Sequence, residues 1–391
     1  MNVFSTICLI VFWTSACLLF YTYIGYPLFV RLISLIRPKD IKRGNIEPKV
    51  TILITAYNEE RDIKAKLENT LQLDYPKEKL EILVASDGST DNTDNIVRQF
   101  SAQGIRLFRQ EGRVGKTITQ NNAVEQSNGE IILFSDATTD YQPNVLREML
   151  PNFADETVGC VAGKLIYVDK TKSTVGKGAK GYWNYETFLK ESESRACSLI
   201  GASGCLYAVR KSAYKPMYAE ACSDFLIATV IYEQGLRTIY EPNAVCEEET
   251  NRQADKEFSM RVRVINQTFT DLWRNRRMLN PLHSGFYAIQ LISHKVFRYA
   301  VPLFLLLIFI STVFLSLGSW FFGVVLLLQI LFYTMAFVAW TAEKFGKKLG
   351  VLAIPLYFIL ANWASVIAFY RFLSGETYAR WEPIRENSHS L

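Results

Sequence analysis

Charged residues are absent from three long stretches of this chain. Val3 to Val30, Ala300 to Trp340 and Leu349 to Tyr370 contain none. A buried helix in a soluble domain seldom exceeds about 14 apolar residues, whereas crossing a bilayer takes about 20. These runs therefore predict an N-terminal transmembrane anchor over 1–36 and three transmembrane helices over 301–373, near 301–318, 319–340 and 349–372. Ser284–Ala300 reads differently. Phe286, Ile289, Ile292, Val296 and Tyr299 share one helical face, and Gln290, His294 and Arg298 another. That pattern predicts an amphipathic helix over 283–300 lying on the membrane surface, before a tail over 374–391.

Between the anchors the pattern alternates. Lys49–Thr55, Leu80–Ser86, Ile105–Phe108 and Glu130–Ser135 are short apolar or β-branched runs that read as strands. The segments between them read as helices. The first is capped by Asn58 and carries Ile63, Leu67 and Leu71 on one face; another covers about Lys116–Gln126. Strand–helix alternation at this spacing predicts an α/β domain over 45–272, with a mostly parallel sheet covered by helices on both faces. Ligands of such sheets bind beyond the carboxyl ends of the strands.

Of the 391 residues, 49% are hydrophobic and 21% charged, which excludes a disordered chain. The blocks just described exclude an all-soluble protein. The net charge of +5 is concentrated beside the apolar runs, in Arg31, Arg37, Lys39, Lys42 and Arg43, then Arg261 to Arg277, then Lys344, Lys347 and Lys348. This bias places the α/β domain in the cytoplasm of a multi-pass protein of the cell's inner membrane, with lipid as a partner. The tail's side stays open: the span count puts it outside, whereas Arg371, Arg380 and Arg385 argue for the inside. No basic stripe with interleaved aromatics lies away from the membrane flanks, which argues against nucleic acid. The seven cysteines form no C-x-x-C pair and read as reduced thiols, not zinc ligands.

Candidate chemistry follows the strands. Ala56-Tyr57-Asn58-Glu59-Glu60 brings an aromatic ring and acids to one strand end, and Asp87-Gly88-Ser89-Thr90 a carboxylate and a tight turn to the next. Asp136-Ala137-Thr138 ends the fourth strand, where an Asp can hold a divalent cation. Gly115-Lys116-Thr117 imitates a P-loop, but Gln110 occupies the place of its first glycine. Lys116 and Arg113 remain point charges for a phosphate. The small-residue stretch Gly201–Cys205 permits close backbone approach, and Asp224 at a helix start is either an N-cap or a general base.

In order, TAYNEE, SDGST, GRVGKTITQNNA, FSDATTDY, GASGCLYAVRK and SDFLIATVIYEQGLRTIYEPNAV resemble the motifs of membrane-embedded family 2 glycosyltransferases. That family includes cellulose, chitin, hyaluronan and poly-N-acetylglucosamine synthases. The resemblance runs from about Lys49 to Arg263. It implies a GT-A (Rossmann-like) fold, a UDP-sugar donor with UDP-GlcNAc or UDP-glucose foremost, Mg²⁺ or Mn²⁺, and inversion at the anomeric carbon. Tyr57, Glu59, Asp87, Lys116, Asp136 and Arg263 then bind the nucleotide sugar, Asp136 also holding the metal. Ser203 and Gly204 line the acceptor path, and Asp224 is the catalytic base. Thr138 stands where the family's D-x-D usually has its second acid, with Asp140 as a substitute. A Q-x-x-R-W motif, expected at Met260–Val264, keeps only Arg263. The implied activity is polysaccharide synthesis at the membrane. The alternatives are a single addition to a lipid carrier or glycolipid, and a degenerate membrane subunit. The acceptor is a glycan or lipid-linked, and export or accessory subunits are candidate partners.

Overall fold

The computed structural model describes residues 3–168, 174–249, 254–345, 350 and 354–380. Its centre is one eight-stranded sheet, assembled from β1 (Val50–Ala56), β2 (Leu80–Ser86), β3 (Ile105–Arg109), β4 (Ile131–Asp136), β5 (Thr139–Tyr141), β6 (Val158–Val168), β7 (Tyr207–Arg210) and β8 (Arg237–Glu249). The spatial order is β3-β2-β1-β4-β7-β6-β8-β5. The first four strands are mutually parallel, as the alternation predicts. The β4–β7, β6–β7 and β5–β8 pairs are antiparallel and β6–β8 is parallel, so the sheet is mixed in its second half.

Successive side chains of a strand point to opposite faces. Ile52, Ile54 and Val84 accordingly enter one core, with Ile63 and Leu67 of α2 (Ile63–Leu71), Val97 of α3 (Thr93–Gln99) and Val145 of α5 (Val145–Met149). Leu53, Leu83 and Phe134 enter the other, with Ala123 of α4 (Lys116–Glu125) and Leu226 and Ile227 of α7 (Ser223–Glu233). Strand boundaries differ from the sequence expectation by about a residue, within ordinary end effects. The start of α2 differs for a specific reason. Asn58 does not cap it: at φ 55° its side chain turns to the neighbouring loop, accepting from the Thr90 N–H at 2.7 Å, and the helix begins only at Ile63.

Four described helices are long and apolar enough to cross a membrane: α1 (Val3–Ile36), α9 (Phe286–Ser316), α10 (Trp320–Lys344) and α11 (Ile354–Leu373). They expose large apolar side chains such as Trp320, Leu327 and Leu306, as lipid-facing surfaces do. The protein is a membrane protein. α1 and α9 run antiparallel, with Phe4 against Phe314 at one end and Tyr21 against Phe297 at the other. Lys347, Lys348 and the tail beyond Arg380 lie outside the described residues.

The amphipathic segment near 284–300 does not form a separate helix. It continues into the apolar run as α9, through a π turn at Ile292–Val296. Its polar face is also the buried one. Gln290 and His294 are 0% and 6% exposed and point into the α/β domain, where Nδ1 of His294 meets Glu193 at 2.8 Å. Glu193 belongs to α6 (Thr174–Ala196) and also accepts from the Tyr26 hydroxyl of α1 at 2.5 Å. One carboxylate thus joins both membrane helices to the domain.

The last helix ends on the domain as well. α11 starts beside α10, where Leu356 packs on Ala336 and Ala339. It then runs along α8 (Ala254–Arg274), with Ala364 and Ala368 on Val262 and Phe369 and Phe372 on Phe269. Beyond it, Gln267 of α8 donates to the Tyr378 carbonyl at 2.7 Å. The described part of the tail therefore sits against the α/β domain.

Candidate active site

The carboxyl ends of β1, β2 and β4 align, with Ala56 opposite Ser86 and Thr55 opposite Asp136. Above them opens a cleft of about 1000 Å³. Glu59, Lys116, Asp136, Ser203, Gly204, Asp224 and Arg263 all line it. These seven come from six motifs spread over more than 200 residues of sequence.

Lys116, the first residue of α4, forms a short ion pair with Asp136. Burial works against its charge, but Asp136 and then Asp224 overcome that, so the ammonium titrates above its ordinary value. Asp224 occupies the first turn of α7, where the helix N-terminus favours a carboxylate. Its Oδ1 accepts from the Cys222 thiol at 3.1 Å, and its Oδ2 lies 3.2 Å from where a Cβ on Gly204 would sit. Gly204 is therefore the residue that lets the chain pass this carboxylate. Ser203 is held by Lys190 of α6, whose ammonium donates to its hydroxyl at 2.7 Å.

Asp87 and Tyr57 stand behind this wall rather than on it. Asp87 is 0% exposed. Its carboxylate accepts from the backbone N–H groups of Val114 (2.8 Å) and Gly115 (3.0 and 3.1 Å) and from the Thr119 hydroxyl (2.9 Å). It fixes the turn that aims Lys116. Tyr57 lies under the Arg113 guanidinium, 3.9 Å from ring centroid to Cζ, so its ring also braces that turn.

The Asp136 turn has supports that the sequence did not reveal. The antiparallel β5–β8 pairing places Glu248 opposite Thr139, and the Thr138 hydroxyl donates to Glu248 at 3.1 Å. A carboxylate thus stands beside the missing second acid, supplied from 110 residues away. Burial, then the neighbouring Asp136, push its pKa up to about 7. Lys66 is 1% exposed, donates to the Thr139 carbonyl at 2.6 Å and sits over the Tyr141 ring at 3.5 Å. Burial lowers its pKa to about 8. Asp271 of α8 accepts from the Cys222 N–H at 3.1 Å and from the Tyr218 hydroxyl, and so holds the start of α7. Burial raises its pKa to about 8. No local pattern marks these residues; pairing between distant elements does.

Among the described residues no three His, Cys, Asp or Glu side chains converge as a self-sufficient metal site. The rim formed by Asp136, Thr138, Asp140 and Glu248 offers only oxygen donors. That set suits a hard cation that takes its remaining ligands from a diphosphate and water.

Residues 51–217 match the family model of Glycosyl transferase family 2. The chain carries a family 2 glycosyltransferase domain. The poly-beta-1,6-N-acetyl-D-glucosamine synthase of Staphylococcus aureus is 29% identical over 246 residues, which is 60% of this chain and 57% of that protein. The chain thus matches little more than half the length of that curated relative. A probable glycosyltransferase of Bacillus subtilis, YdaM, is 36% identical over 133 residues, 32% of this chain and 31% of its own. Among solved structures, mannosyltransferase PcManGT from Pyrobaculum calidifontis, in complex with GDP-Man and Mn²⁺, superposes with a TM-score of 0.72 at 22% identity. That superposition covers 93% of this chain and 99% of the other, and shows that the GT-A glycosyltransferase domain and its helical surroundings share one fold.

Proposed function

We propose that the protein is an inverting glycosyltransferase of the cytoplasmic membrane face, which moves a sugar from a UDP-sugar to a growing polysaccharide. The observation that carries this is the convergence of Asp224, Lys116, Asp136 and Arg263 on one cleft. Asp224 takes the proton of an acceptor hydroxyl. The resulting oxygen attacks the anomeric carbon from the face opposite the diphosphate. The bond between that carbon and the diphosphate oxygen breaks, and its electron pair leaves with the nucleotide. Lys116 and Arg263 meet the negative charge that develops there. When bound, Mg²⁺ or Mn²⁺ neutralises part of the diphosphate charge; Asp136 would hold it, with Glu248 beside Thr138 supplying a second carboxylate. Glu59 faces the nucleotide end, and Asp87 and Tyr57 hold the loop that aims Lys116. Ser203 and Gly204 border the path of the acceptor.

UDP-N-acetylglucosamine is the first donor to test, because the Staphylococcus aureus relative is a poly-N-acetylglucosamine synthase. GDP-mannose is the second, from the GDP-Man complex of the fold neighbour. A single addition to a lipid-linked acceptor has its own support. His294 and Lys295, in the helix that leads into the membrane, line the same cleft and bring its acceptor end to the lipid boundary.

The test is a panel of radiolabelled UDP-N-acetylglucosamine, UDP-glucose and GDP-mannose on membranes containing the protein, with and without Mn²⁺. Labelled polymer retained at high mass supports the synthase. Label confined to a small lipid-extractable product selects single addition. Nucleotide binding with no transfer from any donor would refute the enzymatic reading in favour of a binding subunit.

A further inference from the structure

Two lysines that the transfer step does not use flank Asp224. Lys190 of α6 and Lys295 of α9 both line the cleft. Lys190 donates to the Ser203 hydroxyl at 2.7 Å, and Ser203 precedes the Gly204 whose backbone passes the Asp224 carboxylate. Lys295 reaches the same place from the membrane helix. Its ammonium lies 5.2 Å from the ring centroid of Phe225, the residue after Asp224.

Nearby carboxylates do not pair with these ammoniums. Glu186 is held by Arg298 and lies 3.6 Å from His294, while Glu193 is held by Tyr26 and Nδ1 of His294. Among the described residues neither lysine forms an ion pair with a carboxylate. Burial lowers the pKa of Lys190; Glu186 opposes this, and the charge of Lys295 adds to it. Like charges that converge in a partly buried cleft repel until an anion joins them. A phosphate does so, because it is negatively charged and presents several acceptor oxygens. Lys190 spends one N–H donor on Ser203 and keeps others for a ligand.

The place of Lys295 in the fold points to the source of that phosphate. It sits in the π turn Ile292–Val296, an irregularity that recurs at functional sites. The charge-free run begins at Ala300, five residues on, or about 7.5 Å along a helix.

We propose that Lys190 and Lys295 hold the phosphate of a lipid-linked acceptor. Its hydrocarbon chain lies in the bilayer beside α9, and its attacking hydroxyl is presented to Asp224. No bond to this phosphate forms or breaks; it is the handle by which the acceptor is placed. This inference rests on the glycosyl-transfer reading of the cleft and names the chemistry of its lipid-linked acceptor.

The experiment titrates geranyl phosphate, geraniol and inorganic phosphate against the purified full-length protein in phosphatidylcholine nanodiscs, with empty nanodiscs as the blank. Saturating UDP, GDP and Mn²⁺ close the donor site to these probes. Geranyl phosphate should bind about tenfold or more tighter than either geraniol or inorganic phosphate. Lys190→Gln and Lys295→Gln should each weaken it by about tenfold, as for loss of a charge-assisted hydrogen bond, and geraniol should change far less. Glutamine in place of Lys190 can still donate to Ser203, so a loss there reports charge rather than packing. Lys295→Arg keeps the charge and should keep most of the affinity. Equal affinity for geranyl phosphate and geraniol would overturn the proposal, as would affinity within about twofold of the unaltered chain in both glutamine variants. Inorganic phosphate bound as tightly as geranyl phosphate would overturn the lipid assignment in favour of a soluble phosphate-bearing acceptor. If the unaltered chain binds neither UDP nor GDP in a separate titration, the nucleotide-sugar reading itself is wrong and this inference goes with it.

Discussion

The two halves of the sheet build their parts of the cleft by different means. In the parallel half, β1 to β4, functional side chains sit at strand ends and are held by groups of the neighbouring strand–loop–helix unit. Asp87 shows this best, with its carboxylate saturated by Val114, Gly115 and Thr119. In the mixed half and its membrane helices, side chains are held by other side chains far away in sequence. Asp271 holds the Tyr218 hydroxyl ahead of α7, and Glu193 ties Tyr26 to His294. The proposed donor end is thus built within adjacent strand–loop–helix units. The proposed acceptor end depends on how the domain docks on its membrane helices. Donor binding should accordingly be the robust property, and transfer the one that suffers when docking is disturbed.

The largest effect expected on this contrast is that of Asp224→Asn. It removes the proposed base and should cut turnover by about 10²–10⁴-fold, while nucleotide affinity stays close to that of the unaltered chain. Single-turnover transfer and equilibrium binding on the same preparation measure both. Retention of near-normal transfer would show that the base lies elsewhere.

Asp87→Ala probes the parallel half. It leaves the Val114 and Gly115 N–H groups without their acceptor in a buried place, a loss of about 1–3 kcal/mol for each unmet group. Nucleotide affinity should fall together with thermal stability. A variant that loses stability but binds nucleotide normally would separate the loop from the donor site.

Glu193→Ala tests the other half. Glu193 is 0% exposed, and its removal takes the partner from the Tyr26 hydroxyl and from Nδ1 of His294. Breaking such a buried network costs about 3–5 kcal/mol. Thermal unfolding should shift down and transfer should fall more than nucleotide binding. Equal losses of both would erase the proposed division between the two ends.

The smallest effect concerns pH. Asp271 keeps its proton to about pH 8 in the folded protein, whereas an unfolded aspartate releases it near about pH 4. The folded state therefore binds the extra proton between these values, and this residue's contribution to stability falls as pH rises through that window. Asp271→Asn keeps an acceptor for Cys222 and Tyr218 but cannot ionise. Its stability should fall less steeply between about pH 5 and 8, read as the difference in unfolding midpoint between the two proteins. Parallel curves would show that Asp271 is ionised throughout.

The same contrast explains what could be read in advance. The strands β1, β2 and β4, and the convergence of Asp136, Lys116 and Asp224, were legible because a buried parallel strand must be a short apolar run and its carboxyl end must face the ligand edge. Periodicity also revealed the amphipathic segment near 284–300, but not which way it faced. A polar face reads the same whether it meets water or a buried Glu193. Lys66, Glu248 and Asp271 escaped because a charged residue carries no sign of its eventual partner. Thr138 looked like a defect while the strand that pairs beside it, more than 100 residues on, was still unplaced.

The amino-acid sequence alone determined the alternation of strands and helices, the membrane-length apolar runs and the chemical types available at each strand end. Those follow from short-range periodicity and from the length a bilayer demands. Tertiary structure alone decided that β8 would set a carboxylate beside Thr138, that Asp87 would be spent on a loop, and that the chain beyond the last apolar helix would return to the cleft with Arg380. Each of these depends on contacts between segments far apart in the chain. Their geometry is fixed by packing and by the need to satisfy buried polar groups, and no local pattern encodes it.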